Sequence, residues 1–308
     1  MSLSDSRIGP LALALLGATT LFWGGNFVLG RAVSADIPPI ALAWWRWILA
    51  GAIILPFAAR GLWQSRADIR QHWRYLLAVS VLSVTCFNTF VYLGLQTLPA
   101  SNAVLVLSSA PMMILAFSWL LFREPVTARQ GLGMVLSLGG VLVIIAQGRP
   151  DQLGAVVDGG AGNLWILVAV ASWSLYSVLL RRRPAGFNGT VFFALTVVLG
   201  WLMLTPAFIW EHAVQGRVMV FNSTALLSIG YVGIFASVLA FLFWNRGVEL
   251  LGPNRAGYFI HLIPVWALLL ATLLLGERLL AFHWVGMVLI FSGIALATLR
   301  RVRVPGTA

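Results

Sequence analysis

Apolar residues in this chain come in long blocks. The segments 8–30, 75–122, 130–148, 159–180, 184–210, 218–245, 256–276 and 279–299 contain no charged side chain. A helix needs about 20 apolar residues to cross the hydrocarbon core of a bilayer, so each block can supply at least one span. Block 75–122 is long enough for two, and the turn signal Thr97-Leu98-Pro99-Ala100-Ser101-Asn102 divides it. A further block, roughly 40–58, is apolar apart from Arg46 and runs into the polar stretch 60–74. The pattern predicts ten transmembrane helices joined by short loops, with no room for a soluble domain. Arg7 ahead of the first block resembles the start of a signal peptide. The block has full span length and no small-residue cleavage site, so it is expected to stay as the first helix.

Composition agrees with this reading. Hydrophobic residues make up 60% of the 308 and charged ones 9%, against about 45–50% and about 25% in an ordinary soluble domain. All 20 basic residues are arginine, which excludes a Walker-type phosphate loop and any lysine nucleophile or base. A single cysteine, Cys86, excludes disulfide frameworks and thiolate clusters. The net charge of +11 would suggest nucleic acid in a soluble protein. In a membrane chain it marks the cytoplasmic loops instead, and no nucleic-acid partner is expected. Sorting the arginines by alternate loops places fifteen on one side and four on the other, with Arg46 inside a span. That asymmetry predicts cytoplasmic termini at both ends.

The second half of the chain repeats the first. At an offset of 153 residues Ala110-Pro111-Met112-Met113-Ile114 lies over Ile263-Pro264-Val265-Trp266-Ala267, and Gly133-Met134-Val135-Leu136 over Gly286-Met287-Val288-Leu289, with Gly140 over Gly293. Near an offset of 150, Phe22-Trp23-Gly24-Gly25-Asn26 lies over Ser172-Trp173-Ser174-Leu175-Tyr176. Five spans per copy is an odd number, so the copies, 1–148 and 149–308, are expected to have opposite orientations. Inverted repeats surround a midplane site in secondary transporters and let it open to either face in turn. The predicted fold is therefore an all-α membrane protein of ten helices in two inverted five-helix repeats around a central cavity.

Leu21-Phe22-Trp23-Gly24-Gly25-Asn26, Trp45-Arg46-Trp47-Ile48-Leu49-Ala50, Leu121-Phe122-Arg123-Glu124 and Leu275-Gly276-Glu277-Arg278 resemble the EamA-type branch of the drug/metabolite transporter superfamily across nearly the whole chain. Trp173-Ser174-Leu175-Tyr176 with Ala185-Gly186-Phe187-Asn188-Gly189 is similar to the YddG-type amino-acid exporters of bacterial inner membranes. The resemblance implies a ten-helix basket that exports aromatic or other neutral amino acids. It also permits uniport.

Strongly polar groups inside spans are functional candidates because the bilayer penalises them. Arg46 has two readings. Either its guanidinium faces the cavity and holds a substrate carboxylate bidentately, or it snorkels to headgroups or caps a neighbouring helix. Tyr258 and His261 share a face of helix 9 ahead of Pro264. His261 is either a substrate ligand or a hydrogen-bonded packing residue. Pro111 and Pro264, at equivalent repeat positions, are expected to break their helices as hinges or as simple kinks. Trp23 with Asn26, Trp173 with Tyr176, Asn88 with Tyr92, and Ser108 before Pro111 complete the candidate substrate site, as aromatic groups with polar handles. Trp63, Trp73, Trp210 and Trp284 fit an interfacial belt, an explanation that also covers Tyr92, Trp244 and Asn245 in part. Glu124 and Glu277, each beside an arginine, read as solvated ion pairs or as coupling groups. No metal-ligand spacing, nucleophile elbow or zinc-protease motif is present. A transporter needing no cofactor or metal is expected, with an amino acid and the lipid bilayer as partners and a monomer as the working unit. Drug efflux in the same fold and a membrane-embedded enzyme are the alternatives.

Overall fold

In a computed structural model, which describes residues 3–98, 100–149, 151, 160–275 and 280–298, the apolar blocks form helices. They are α1 (Leu3–Ala32), α2 (Pro39–Gln64), α3 (Trp73–Thr97), α4 (Ala100–Leu107 and Ala110–Phe122), α5 (Ala128–Ile145), α6 (Gly160–Leu179), α7 (Gly189–Val214), α8 (Ser223–Leu251), α9 (253–275) and α10 (Ala281–Thr298), with a short helix at Arg66–Gln71. Eight of these are long and apolar enough to cross a membrane by length and composition, and α5 is a shorter apolar helix. The ninth, α9, is composite: Pro253–Gly257 and Ile263–Leu275 flank a 3₁₀ turn at Tyr258–Leu262. Side-chain caps start several helices. Thr127 and Gln130 form a capping box on α5, Asn188 accepts from the Val191 amide, and Asn222 accepts from the Ala225 amide.

Contacts among the connecting segments sort them to two ends of the bundle. At one end Glu124 meets Arg181 and Asn254, and Arg183 meets Glu249. At the other, Arg31 donates to the Leu95 carbonyl, Gln96 donates to the Ser34 carbonyl, and the buried Glu211 carboxylate accepts from the Ile40 and Ala41 amides at the start of α2. Arginines 60 to 74, 123, 129, 181 to 183, 246 and 255 belong to the first end, whereas the described arginines of the second are Arg31, Arg149 and Arg217. Glu277, Arg278 and the C-terminal arginines lie outside the described residues.

The internal repeat is visible in the packing. The most extensive helix pair is α5 with α10. A Cβ on Gly133 would stand 2.6 Å from the Gly293 carbonyl oxygen, and one on Gly140 would stand 2.5 Å from that of Gly286. Gly286 and Gly293 are the 153-residue counterparts of Gly133 and Gly140, so the two contacts are reciprocal, as a twofold relation requires. Wide π-helical turns occupy Val81–Cys86 in α3 and Ile234–Leu239 in α8, again 153 residues apart. The broken helices also correspond. Pro111 opens the second segment of α4 after the turn at Ser108 and Ser109, and Pro264 opens the last segment of α9 after its 3₁₀ turn. In each case the missing proline amide falls in the first helical turn, where it has no intrahelical partner to lose.

Candidate functional site

Arg46 lies seven residues into α2, about 10 Å from its start, and is fully buried. It neither snorkels nor caps a carbonyl. Its Nε donates to Ser237 Oγ at 2.7 Å, and one Nη donates to Asn88 Oδ1 at 2.9 Å and to the Tyr92 hydroxyl at 2.6 Å. Tyr92 in turn donates to Asn26 Oδ1 at 2.8 Å. The π turns explain this convergence. A widened turn leaves a carbonyl without its usual α-helical partner. Asn88 Nδ2 donates to the Ser83 carbonyl five residues back, and the Ser237 hydroxyl donates to the Val232 carbonyl five residues back. Both side chains are thereby fixed with an oxygen facing the guanidinium. The other Nη of Arg46 has no hydrogen-bond partner among the described residues, and no carboxylate among them pairs with it.

An aromatic cluster adjoins this group. Arg46 sits 5.2 Å from the Trp47 ring, and Trp47 meets Phe241 edge-on at 5.1 Å. Phe241 touches Trp173, and Trp173 contacts Trp23, Phe87, Tyr176 and Trp244 with centroids 4.8–5.5 Å apart. Trp23 and Trp173 are repeat counterparts that meet face to edge at the centre. The Trp173 indole N–H is buried without a partner among the described residues. Trp23, Phe27, Phe87, Leu107, Trp173, Ile260 and Ile263 line a void of about 10 Å³, barely room for one water molecule. Open cavities lie at both ends of the bundle. One of about 700 Å³ is lined by Arg31, Ser34, Asp36, Gln96 and Arg217, and one of about 390 Å³ by Arg181, Arg183, Asn245, Val248 and Glu249.

The structure thus brings together Asn26, Arg46, Asn88 and Tyr92, and joins them through Trp47 and Phe241 to Trp23, Trp173 and Tyr176. It places Ser108, Tyr258 and His261 elsewhere. Both His261 ring nitrogens are engaged, Nδ1 with Ser137 Oγ at 2.7 Å and Nε2 with the Ser108 carbonyl at 2.9 Å. Ser108 is the repeat counterpart of His261, so this bond lies on the twofold axis. Tyr258 donates to the Gln130 carbonyl of α5. Sequence reasoning missed Ser237, Phe241 and Glu211, and it assigned Tyr92 as well as Trp244 and Asn245 partly to the interface. All three are buried: Trp244 donates to the Ser177 hydroxyl, and Asn245 accepts from Tyr176 at 2.7 Å. The π turn that aims Ser237 has no signature in residue type. The offset of 153 pairs Asn245 with Tyr92, the signal that could have found it.

The EamA-like transporter family matches residues 10–146 and again 160–299. The chain belongs to this family. The EamA-like chain is 25% identical over 288 residues to the uncharacterized transporter YyaM of Bacillus subtilis, covering 93% of this chain and 92% of that one. It is 27% identical over 291 residues to a probable amino-acid metabolite efflux pump of Salmonella typhimurium, covering 92% of each. A similarly named Escherichia coli pump is 25% identical over 292 residues, 93% of each chain. One crystal structure superposes with a TM-score of 0.72 at 22% identity over 97% of both chains, a likeness of fold. This EamA-like protein is accordingly a multi-pass membrane transporter of a small molecule.

Proposed function

We propose that the protein exports amino acids, aromatic and other neutral ones foremost, from the bacterial cytoplasm across the inner membrane by alternating access. In this reading α1 to α10 all cross the bilayer, as inverted repeats 1–148 and 149–308. The arginine-rich end faces the cytoplasm together with both termini, in keeping with the positive-inside rule. The monomer is the transporting unit. The reading rests on one observation above all: Arg46 is a buried cation surrounded by neutral oxygens, with one Nη unpartnered among the described residues. A buried charge is normally paired with an opposite one, and a carboxylate fits the fork of a guanidinium bidentately. The adjoining tryptophans and Phe241 suit an apolar or aromatic side chain once the helices part. Pro111 and Pro264 serve as hinges. Ser108, Tyr258 and His261 hold α9 against α4 and α5. The names of the two efflux pumps support the substrate class, and Arg46 disfavours the cations expected of drug efflux.

The test is counterflow in proteoliposomes. Internal phenylalanine, tryptophan or leucine is expected to accelerate uptake of the labelled amino acid, the corresponding amides should not, and Arg46→Gln should abolish the effect. No stimulation by any amino acid would rule out the substrate class, and stimulation by cationic dyes instead would support drug efflux.

A further inference from the structure

Two buried hydrogen bonds occupy equivalent places in the two repeats with their residues exchanged. In the first, Tyr92 of α3 donates to Asn26 of α1 at 2.8 Å; in the second, Tyr176 of α6 donates to Asn245 of α8 at 2.7 Å. Asn26 and Tyr176 correspond at an offset of 150, and Tyr92 and Asn245 at 153.

Helix packing gives these bonds a mechanical meaning. Helix α1 packs on the second half of α8 and on α9, while α6 packs on the second half of α3 and on α4. The molecule therefore contains two bundles, α1 with α8 and α9, and α6 with α3 and α4. Each joins the first helix of one repeat to the third and fourth helices of the other. Both Tyr–Asn bonds run from one bundle to the other, but at different depths. Asn26 and Tyr92 lie within two turns of the arginine-poor ends of their helices, close to the 700 Å³ cavity lined by Arg31 and Gln96 of the same two helices. Tyr176 and Asn245 lie within two turns of the arginine-rich ends, and Asn245 itself lines the 390 Å³ cavity. Toward the middle of α3 and α6 from these two tyrosines, Phe87 and Trp173 line the void of about 10 Å³.

We propose that Tyr92–Asn26 and Tyr176–Asn245 are the two gates of the transporter, one for each membrane face, which part in turn as the bundles rock. This rests on the alternating-access reading above. The gates differ in one respect. The outer tyrosine also accepts a hydrogen bond from Arg46, whereas Asn245 Nδ2 has no partner among the described residues. A carboxylate taken by Arg46 competes with Tyr92 for the guanidinium, so loading the site loosens the outer gate and leaves the inner one untouched. That asymmetry suits export.

Thiol labelling tests the gates. Leu107 is buried and lines the void, so Leu107→Cys in a Cys86→Ser background reports access past either gate when an impermeant maleimide is applied to right-side-out or inside-out vesicles. Losing one hydrogen bond shifts a two-state balance roughly three- to tenfold. Tyr92→Phe should raise labelling from outside by that factor, and Tyr176→Phe should raise it from the cytoplasmic face. Asn26→Ser and Asn245→Ser should repeat the respective biases, which covers a tyrosine variant that fails to fold. Labelling without face bias in both the tyrosine and the asparagine pairs would overturn the proposal. The measurement needs no substrate, so a face bias in a carrier that moves no amino acid would refute the substrate class and leave the gates standing.

Discussion

Arg46 carries a desolvation penalty that neutral oxygens offset only in part. Arg46→Met removes that penalty but leaves Asn88 Oδ1, Ser237 Oγ and the Tyr92 hydroxyl each short of a donor, so the two effects offset and the melting temperature in detergent should change little while transport of carboxylate substrates falls at least about tenfold. Loss of stability and transport together would instead make Arg46 a structural residue. His261 should behave in the opposite way. Its ring bridges Ser137 and the Ser108 carbonyl across three helices, and leaving those groups unpaired costs about 1–3 kcal/mol. His261→Ala should lower the melting temperature with little change in the KM for substrate. Arg46 and the mid-span polar residues are legible in the sequence because hydrocarbon penalises them. Their partners are not, since hydrogen bonds between helices have no local period.

Among the helices, α5 and α10 depend on the absence of side chains at four glycines. Close approach of this kind gives membrane helices the van der Waals contact that stands in for a hydrophobic driving force. Gly140→Val would drive side-chain atoms against the Gly286 backbone and should destabilise the fold by about 1–3 kcal/mol. One residue away, Gly139 has nothing within 4 Å of an added Cβ, so Gly139→Ala should be tolerated. Melting curves of the two variants separate these outcomes. The glycine spacing identifies α5 and α10 as packing helices from sequence, and the shared offset identifies them as counterparts. The π turns are different. They lie where α3 packs on α6 and α7 and where α8 packs on α1 and α2, and no residue preference announces them, so Ser237 is not legible from sequence.

For the molecule as a whole, the arginine asymmetry and the two groups of loop contacts agree on which segments share an end. Ala35 lies between α1 and α2 at the arginine-poor end, and Ala185 between α6 and α7 at the arginine-rich end; both are exposed. In a Cys86→Ser background, Ala35→Cys should react with an impermeant thiol reagent added outside cells, and Ala185→Cys only after the cytoplasmic face is opened. The reverse pattern would invert the orientation, and with it the assignment of the outer and inner gates.

Long uncharged blocks, an excess of arginines in alternate loops and a register of 150 to 153 residues point to the helices, their alternation and the repeat. These features are written in residue type and spacing, because a bilayer selects for apolarity and length at each position independently of what packs beside it. The sequence also selects Asn26, Arg46, Asn88 and Tyr92 as candidates, but it has no means of saying that they meet one another, or that His261 and Tyr258 are held elsewhere. Those outcomes depend on which helix faces which across the bundle: the first four residues meet from three helices of the first half, whereas His261 and Tyr258 find their partners in the opposite half. The Arg46 nitrogen unpartnered among the described residues and the exchanged Tyr–Asn pairs exist only once α1, α3, α6 and α8 are brought together.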